Sequence, residues 1–157
     1  MAVKTSSQLE KPRFIILGFQ TARNNRRAAN DSHFDHCNIR NVKLFLNAQS
    51  FPYGNLNLDI TTNKFAVLYD MFKDFQSSYY EKESAETAIS RTNFRDNVPL
   101  MIIDCSKQSE FSKYAPVNVR LEFEANGNFP ASTSAFYLIL HDRVIQYKPR
   151  SGEIKKL

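Results

Sequence analysis

An antiparallel β-sandwich with one amphipathic helix set in a long connection is the fold this sequence predicts, on three observations. Val117, Val119, Leu121 and Phe123 alternate strictly with Asn118, Arg120, Glu122 and Glu124, the period of a strand with one buried face. Phe65, Leu68, Phe72, Phe75 and Tyr79 recur at steps of three and four, the period of a helix. Strand-like segments crowd both ends of the chain with the helix between them, and no regular strand–helix alternation argues for parallel crossover units. At 157 residues, 42% hydrophobic and 24% charged, the chain can bury a sizeable core as one domain.

Residues 1–12 are polar and mixed and predict a flexible leader, ahead of a single domain over 13–157. Arg13 to Gln20 is a short apolar run rich in strand formers and bounded by Pro12, so it predicts a buried strand. Thr21 to His33 has no apolar period and reads as an exposed loop. Val42, Leu44 and Leu46 share one face of a half-buried strand within Asn38 to Gln49. Phe51-Pro52-Tyr53-Gly54-Asn55 predicts a turn, and Leu56, Leu58 and Ile60 predict a short strand. The helix spans 64–80, with Val67 and Met71 beside its stripe. Glu81 to Asn97 predicts a loop with a short helix anchored by Ile89 and Phe94. Leu100 to Cys105 is a strand after Pro99. Ser134 to His141 is another, with Phe136, Leu138 and Leu140 on one face and Tyr137 and Ile139 on the other. Val144 to Lys148 is a short strand, and Glu153 to Lys155 can pair back on it across Pro149–Gly152 as a hairpin.

The formal net charge is +5, and the excess sits early: residues 1–50 carry 8 basic and 3 acidic groups. Such a balance permits contact with a polyanion without demanding it. Two cysteines, Cys37 and Cys105, cannot build a disulfide framework, and no apolar signal segment follows Met1. No apolar stretch is long enough to span a bilayer as a helix. These features predict an intracellular chain with reduced thiols, no membrane partner and no secretion.

The chemistry-bearing residue types are sparse. His33, Asp35, His36 and Cys37 lie close together, with His141 or Cys105 as completing ligands, yet their spacing fits no standard zinc pattern. Cys37 beside His36, and His141 beside Asp142, would point to opposite faces of a strand, which works against a nucleophile–base hydrogen bond. Gly18, Gly54, Gly127 and Gly152 are solitary, so no phosphate loop or dinucleotide fingerprint exists. The expectation is no catalytic, metal or cofactor residue and no cofactor. Arg23, Arg26 and Arg27 form the one concentrated basic loop and are the candidate nucleic-acid contacts, although base-stacking aromatics are missing there.

Several segments together resemble a known family. These are Pro12 to Gln20, Phe34 to Asn47, Phe51-Pro52-Tyr53, Phe75 to Tyr80, Ile103-Asp104-Cys105-Ser106 and Leu138 to Asp142. The chain resembles the C-terminal jelly roll of double jelly-roll major capsid proteins, those of Polinton/Maverick and adintovirus-like elements in particular. The resemblance runs from about Pro12 to Leu157. It implies a jelly-roll sandwich with a helix in a long inter-strand connection, trimers shaped as pseudo-hexagons, and a shell around double-stranded DNA. It transfers no catalytic residue. The chain is too short for two jelly rolls, and the resemblance starts after the first strand or strands of the second. A fragment, a degraded endogenous viral element and a host-retained copy all stay open.

The function expected from these readings is structural: a capsid-type domain acting through self-association into trimers or larger assemblies, with a first jelly-roll domain or other capsid proteins as further partners. The expected location is the virion or the cell interior. The alternative is a host-retained binding module that contacts nucleic acid through Arg23, Arg26 and Arg27. A strand missing from the sandwich would leave an open, adhesive sheet edge.

Overall fold

The computed structural model describes residues 2–4, 12–23, 30–47, 49–81, 89–107, 117–142 and 145–156. Its strands are β1 (Ala2–Lys4), β2 (Pro12–Thr21), β3 (Ile39–Leu46), β4 (Gln49–Phe51), β5 (Met101–Asp104), β6 (Val119–Ala125), β7 (Thr133–His141), β8 (Ile145–Lys148) and β9 (Glu153–Lys156). The helices α1 (Ala66–Tyr80) and α2 (Arg91–Asn97) fall between β4 and β5.

Two sheets make the sandwich, one in the order β1-β6-β3-β4 and the other in the order β5-β2-β7; β8 and β9 form a separate hairpin. Every strand pairing is antiparallel. Three of the pairs nest: β3 with β4 innermost, then β2 with β5, then β1 with β6. A nested hairpin wrapped into two facing sheets is a jelly roll, so the sandwich expected from periodicity is the fold observed. β7 comes next in this nest, and among the described residues no strand stands as its counterpart.

The core follows from the side-chain period. Val42, Leu44 and Leu46 of β3 stand opposite Phe123, Leu121 and Val119 of β6, and all six are buried. The reverse face of the same pair carries Lys43 opposite Glu122 and Phe45 opposite Arg120, whose guanidinium lies 4.1 Å from the ring centre. β2 is apolar on both faces because both are covered. Phe19 meets Phe123 of the opposite sheet at 5.1 Å, whereas Phe14 meets Phe75 of α1 at 5.0 Å on the outer side. The helix is therefore a third layer, laid over β2 and β5.

Within α1, Leu68 and Phe72 are buried, Phe75 is half-buried, and Tyr79 and Tyr80 are exposed. The stripe predicted as core thus sinks at its N-terminal end and emerges at its C-terminal end. Tyr69 and Phe72 pack on Phe94 of α2 at 5.3 and 5.1 Å, and the Tyr69 hydroxyl donates to the Ile89 carbonyl at 2.9 Å. The Ser90 hydroxyl caps α2 by accepting the Asn93 N–H at 3.2 Å.

Three segments differ from the sequence reading. Ala2–Lys4, within the expected leader, pairs with β6 as β1. Gln49–Phe51 pairs with β3 as β4 ahead of the expected turn. Leu56 to Ile60 is not a strand. Asn57 takes the left-handed region at φ 47°, and the backbone of Leu58 is tied to the Arg40 carbonyl and the Asn126 side chain. Leu58 and Ile60 are buried as the underside of a loop, which imitates strand alternation over so short a run.

Candidate functional site

The feature that stands apart from ordinary packing is β7. Nine residues long, it is the terminal strand of its sheet among the described residues, where it pairs with β2. Its register with β2 sets Phe136 opposite Gly18 and Leu138 opposite Ile16, on the side where α1 lies, and Tyr137 opposite Leu17, on the side of the other sheet. Neither layer reaches far enough to cover it. Phe136, Tyr137 and Leu138 are 51%, 47% and 56% exposed, while their β2 neighbours are buried or half-buried. A strand apolar on both faces normally belongs in the middle of a sheet. Here it forms the edge.

The hairpin that follows repeats the pattern. Tyr147 stands opposite Ile154, and Ile145 shares their face. All three are exposed, Ile154 at 70%. The other face carries Lys148, whose ammonium lies 2.8 Å from the Glu153 carboxylate. A two-stranded hairpin has little stability of its own, and an uncovered apolar face on it is the kind of patch that marks contact surfaces in general.

The residues singled out for chemistry lie elsewhere and serve local structure. Asp35 accepts the Thr21 N–H at 2.7 Å through one carboxylate oxygen and the Arg23 guanidinium at 2.8 Å through the other. Arg26 and Arg27 lie outside the described residues. His33 contacts the Asn30 side chain at 3.0 Å, and His36 Nδ1 accepts the Asn38 N–H at 2.9 Å. Asp142 pairs with Arg13 at 3.1 Å, and Asp104 closes a turn by accepting the Ser106 N–H at 2.7 Å.

Both thiols are buried. Burial pushes the Cys37 thiol up, with the Asp35 charge adding to the rise and the Thr21 and Thr133 hydroxyls opposing it. Burial, with the Asp104 charge, pushes Cys105 up to about 12. Activation of a cysteine nucleophile needs a shift in the opposite direction. His36 and Cys37 line a shallow cleft of about 520 Å³ together with Asp35 and Asp96. Among the described residues no three His, Cys, Asp or Glu side chains gather into a set that could hold a metal ion. A smaller cleft of about 250 Å³ lies between α1 and β5, floored by Phe14, Phe75 and Ile102.

The strand expected over Ser134 to His141, with its two apolar faces, is β7, and the alternation alone does not say that Phe136, Tyr137 and Leu138 stay exposed. The signal that marks the site is the unbroken neutrality from Ser134 to Leu140, unlike the charged reverse face of β6. Among the described residues no helix is long and apolar enough to cross a membrane.

Comparison with known proteins matches residues 1–145 to the family model of the double jelly roll-like domain. No curated protein and no solved structure matches the chain.

Proposed function

The chain belongs to the double jelly roll-like domain family, and from that premise we propose that it is a capsid-type structural protein that works by self-association. The observation that carries this reading is the exposure of Phe136, Tyr137 and Leu138 on β7, beside which no further strand pairs among the described residues. A long, neutral, apolar edge strand is a template for pairing with another chain, and natural monomers blunt such edges with charge, proline or a covering element. Shape and contact surface are then the product, with trimers or larger shells as the end state and a major capsid protein of a Polinton/Maverick or adintovirus-like element as the origin.

The alternative, a host-retained module that contacts nucleic acid through Arg23, Arg26 and Arg27, is the weaker reading. In the fold Arg23 already lends its charge to Asp35 at 2.8 Å.

Sedimentation velocity over a concentration series tests the proposal. The expected result is a mass that rises with concentration, and a Leu138→Lys variant that stays monomeric while keeping the parent's circular dichroism spectrum. A parent chain that stays monomeric at the highest soluble concentration would overturn it.

A further inference from the structure

We propose that the β8–β9 hairpin of one copy docks head-to-tail into the cleft between α1 and β5 of a second copy, with Tyr147 as its anchor. This inference rests on the self-association reading above and names the two surfaces that meet.

The cleft sets the chemistry of its occupant. Met71, Phe75 and Ser78, at steps of four and three on one face of α1, line it together with Ile102 of β5 and Phe14 of β2. Its volume of about 250 Å³ falls below the roughly 300–1,000 Å³ of a small-molecule pocket and suits one or two large side chains. Its charges are the carboxylates of Asp74 and Asp104, both on exposed residues, and no basic side chain lines it. Arg13, which reaches the Ser78 carbonyl at 3.4 Å, is paired with Asp142 at 3.1 Å. An apolar slot with an anionic rim takes an apolar side chain carried on a basic segment.

The hairpin has that chemistry. Ile145, Tyr147 and Ile154 share one face and are all more than half exposed. Residues 145–157 carry four basic side chains and one acidic. The acid, Glu153, is taken up by Lys148 at 2.8 Å on the opposite face, and Arg150 and Lys155 are exposed. The hairpin is thus an apolar face on a cationic body, the complement of the slot. Buried aromatic side chains are the usual anchors of an interface, and a tyrosine can sink its ring while its hydroxyl stays at the wet rim. Burial of the ring supplies the affinity, and the opposite charges orient the approach.

A second copy is the occupant. In the single chain the hairpin face is exposed, so the hairpin and the slot of that chain are not joined. They are different surfaces, so between copies the contact is head-to-tail: each copy gives its hairpin to one neighbour and receives one from another. Contacts of this kind close rings, three-membered ones included, in agreement with the trimers proposed above. β8 begins four residues after β7 ends, so the two exposed segments reach the neighbour together.

Complementation between two variants tests the contact. Asp74→Arg/Ser78→Arg puts two cations at the slot, on exposed positions of α1 where arginine is a good helix former. Tyr147→Asp removes the anchor from the hairpin. In sedimentation velocity each alone is expected to weaken association by about tenfold or more, the scale of an interface anchor. Gln146→Asp, on the other face of the hairpin, is expected to leave association unchanged. Mixed in equal amounts, at a concentration where each alone is monomeric, the two variants are expected to form a dimer with one chain of each and nothing larger. The slot of one and the hairpin of the other are both intact in that mixture.

Variants that both associate as the parent does, or a mixture that stays monomeric where the parent associates, would overturn this contact and leave self-association standing. A parent chain that stays monomeric throughout would overturn both.

Discussion

Gly18 shows how one position ties the layers together. It lies on β2 facing outward, and a methyl group built there would stand 2.5 Å from the Phe34 ring and 2.8 Å from the Leu100 side chain. Phe34 cannot easily retreat, because its backbone N–H is held by the Asn97 carbonyl at 2.9 Å. The requirement is for space, and the glycine meets it by lacking a side chain. Gly18→Ala is expected to lower stability by about 1–3 kcal/mol, the usual range for overpacking, read as a fall in thermal midpoint. Gly54→Ala, where nothing lies within 4 Å, is the matched control and is expected to change little. The sequence shows Gly18 only as an isolated glycine in a strand, a hint of close approach with no indication of what approaches. Phe34 and Leu100 are far from it along the chain, so only the fold could name them.

At the scale of the element, α1 was the most legible segment and still held a surprise. Its period, fixed by geometry at 3.6 residues per turn, is plain in the sequence, and Glu81 ends it in the left-handed region at φ 53°. Which end of the stripe is buried depends on where β5 and α2 stop, and that is set by tertiary contacts. Phe72 lies against Phe94 at 5.1 Å and is buried, while Tyr79 stacks on Phe75 at 5.1 Å near solvent. Phe72→Ala is therefore expected to cost about 3–5 kcal/mol and Tyr79→Ala much less, checked by urea unfolding of both variants. The false strand at Leu56 to Ile60 teaches the reverse lesson. Alternation over five residues is matched equally well by a loop pinned at Leu58 and Ile60, and the left-handed Asn57 that decides the matter leaves no trace in the pattern.

At the scale of the whole molecule, β7 and the β8–β9 hairpin each carry exposed apolar side chains. If association runs through these side chains, it should persist or strengthen as salt is raised well above physiological strength. Apolar burial is not screened, whereas phosphate contacts through a basic loop weaken steeply. Light scattering across a salt series checks this, with loss of the larger species at high salt as the contrary outcome. The sequence by itself determined the class of fold, the strand alternation from Val117 to Glu124, the helix and the two-faced apolar character of Ser134 to Leu140, because periodicity is a local consequence of backbone geometry and survives in one dimension. Only the tertiary structure decided that β7 is an edge, that Ala2–Lys4 joins β6, and that Arg23 is turned to Asp35. Those facts depend on which distant segments come to lie side by side, and a strand apolar on both faces looks the same in sequence whether its neighbour belongs to its own chain or to another.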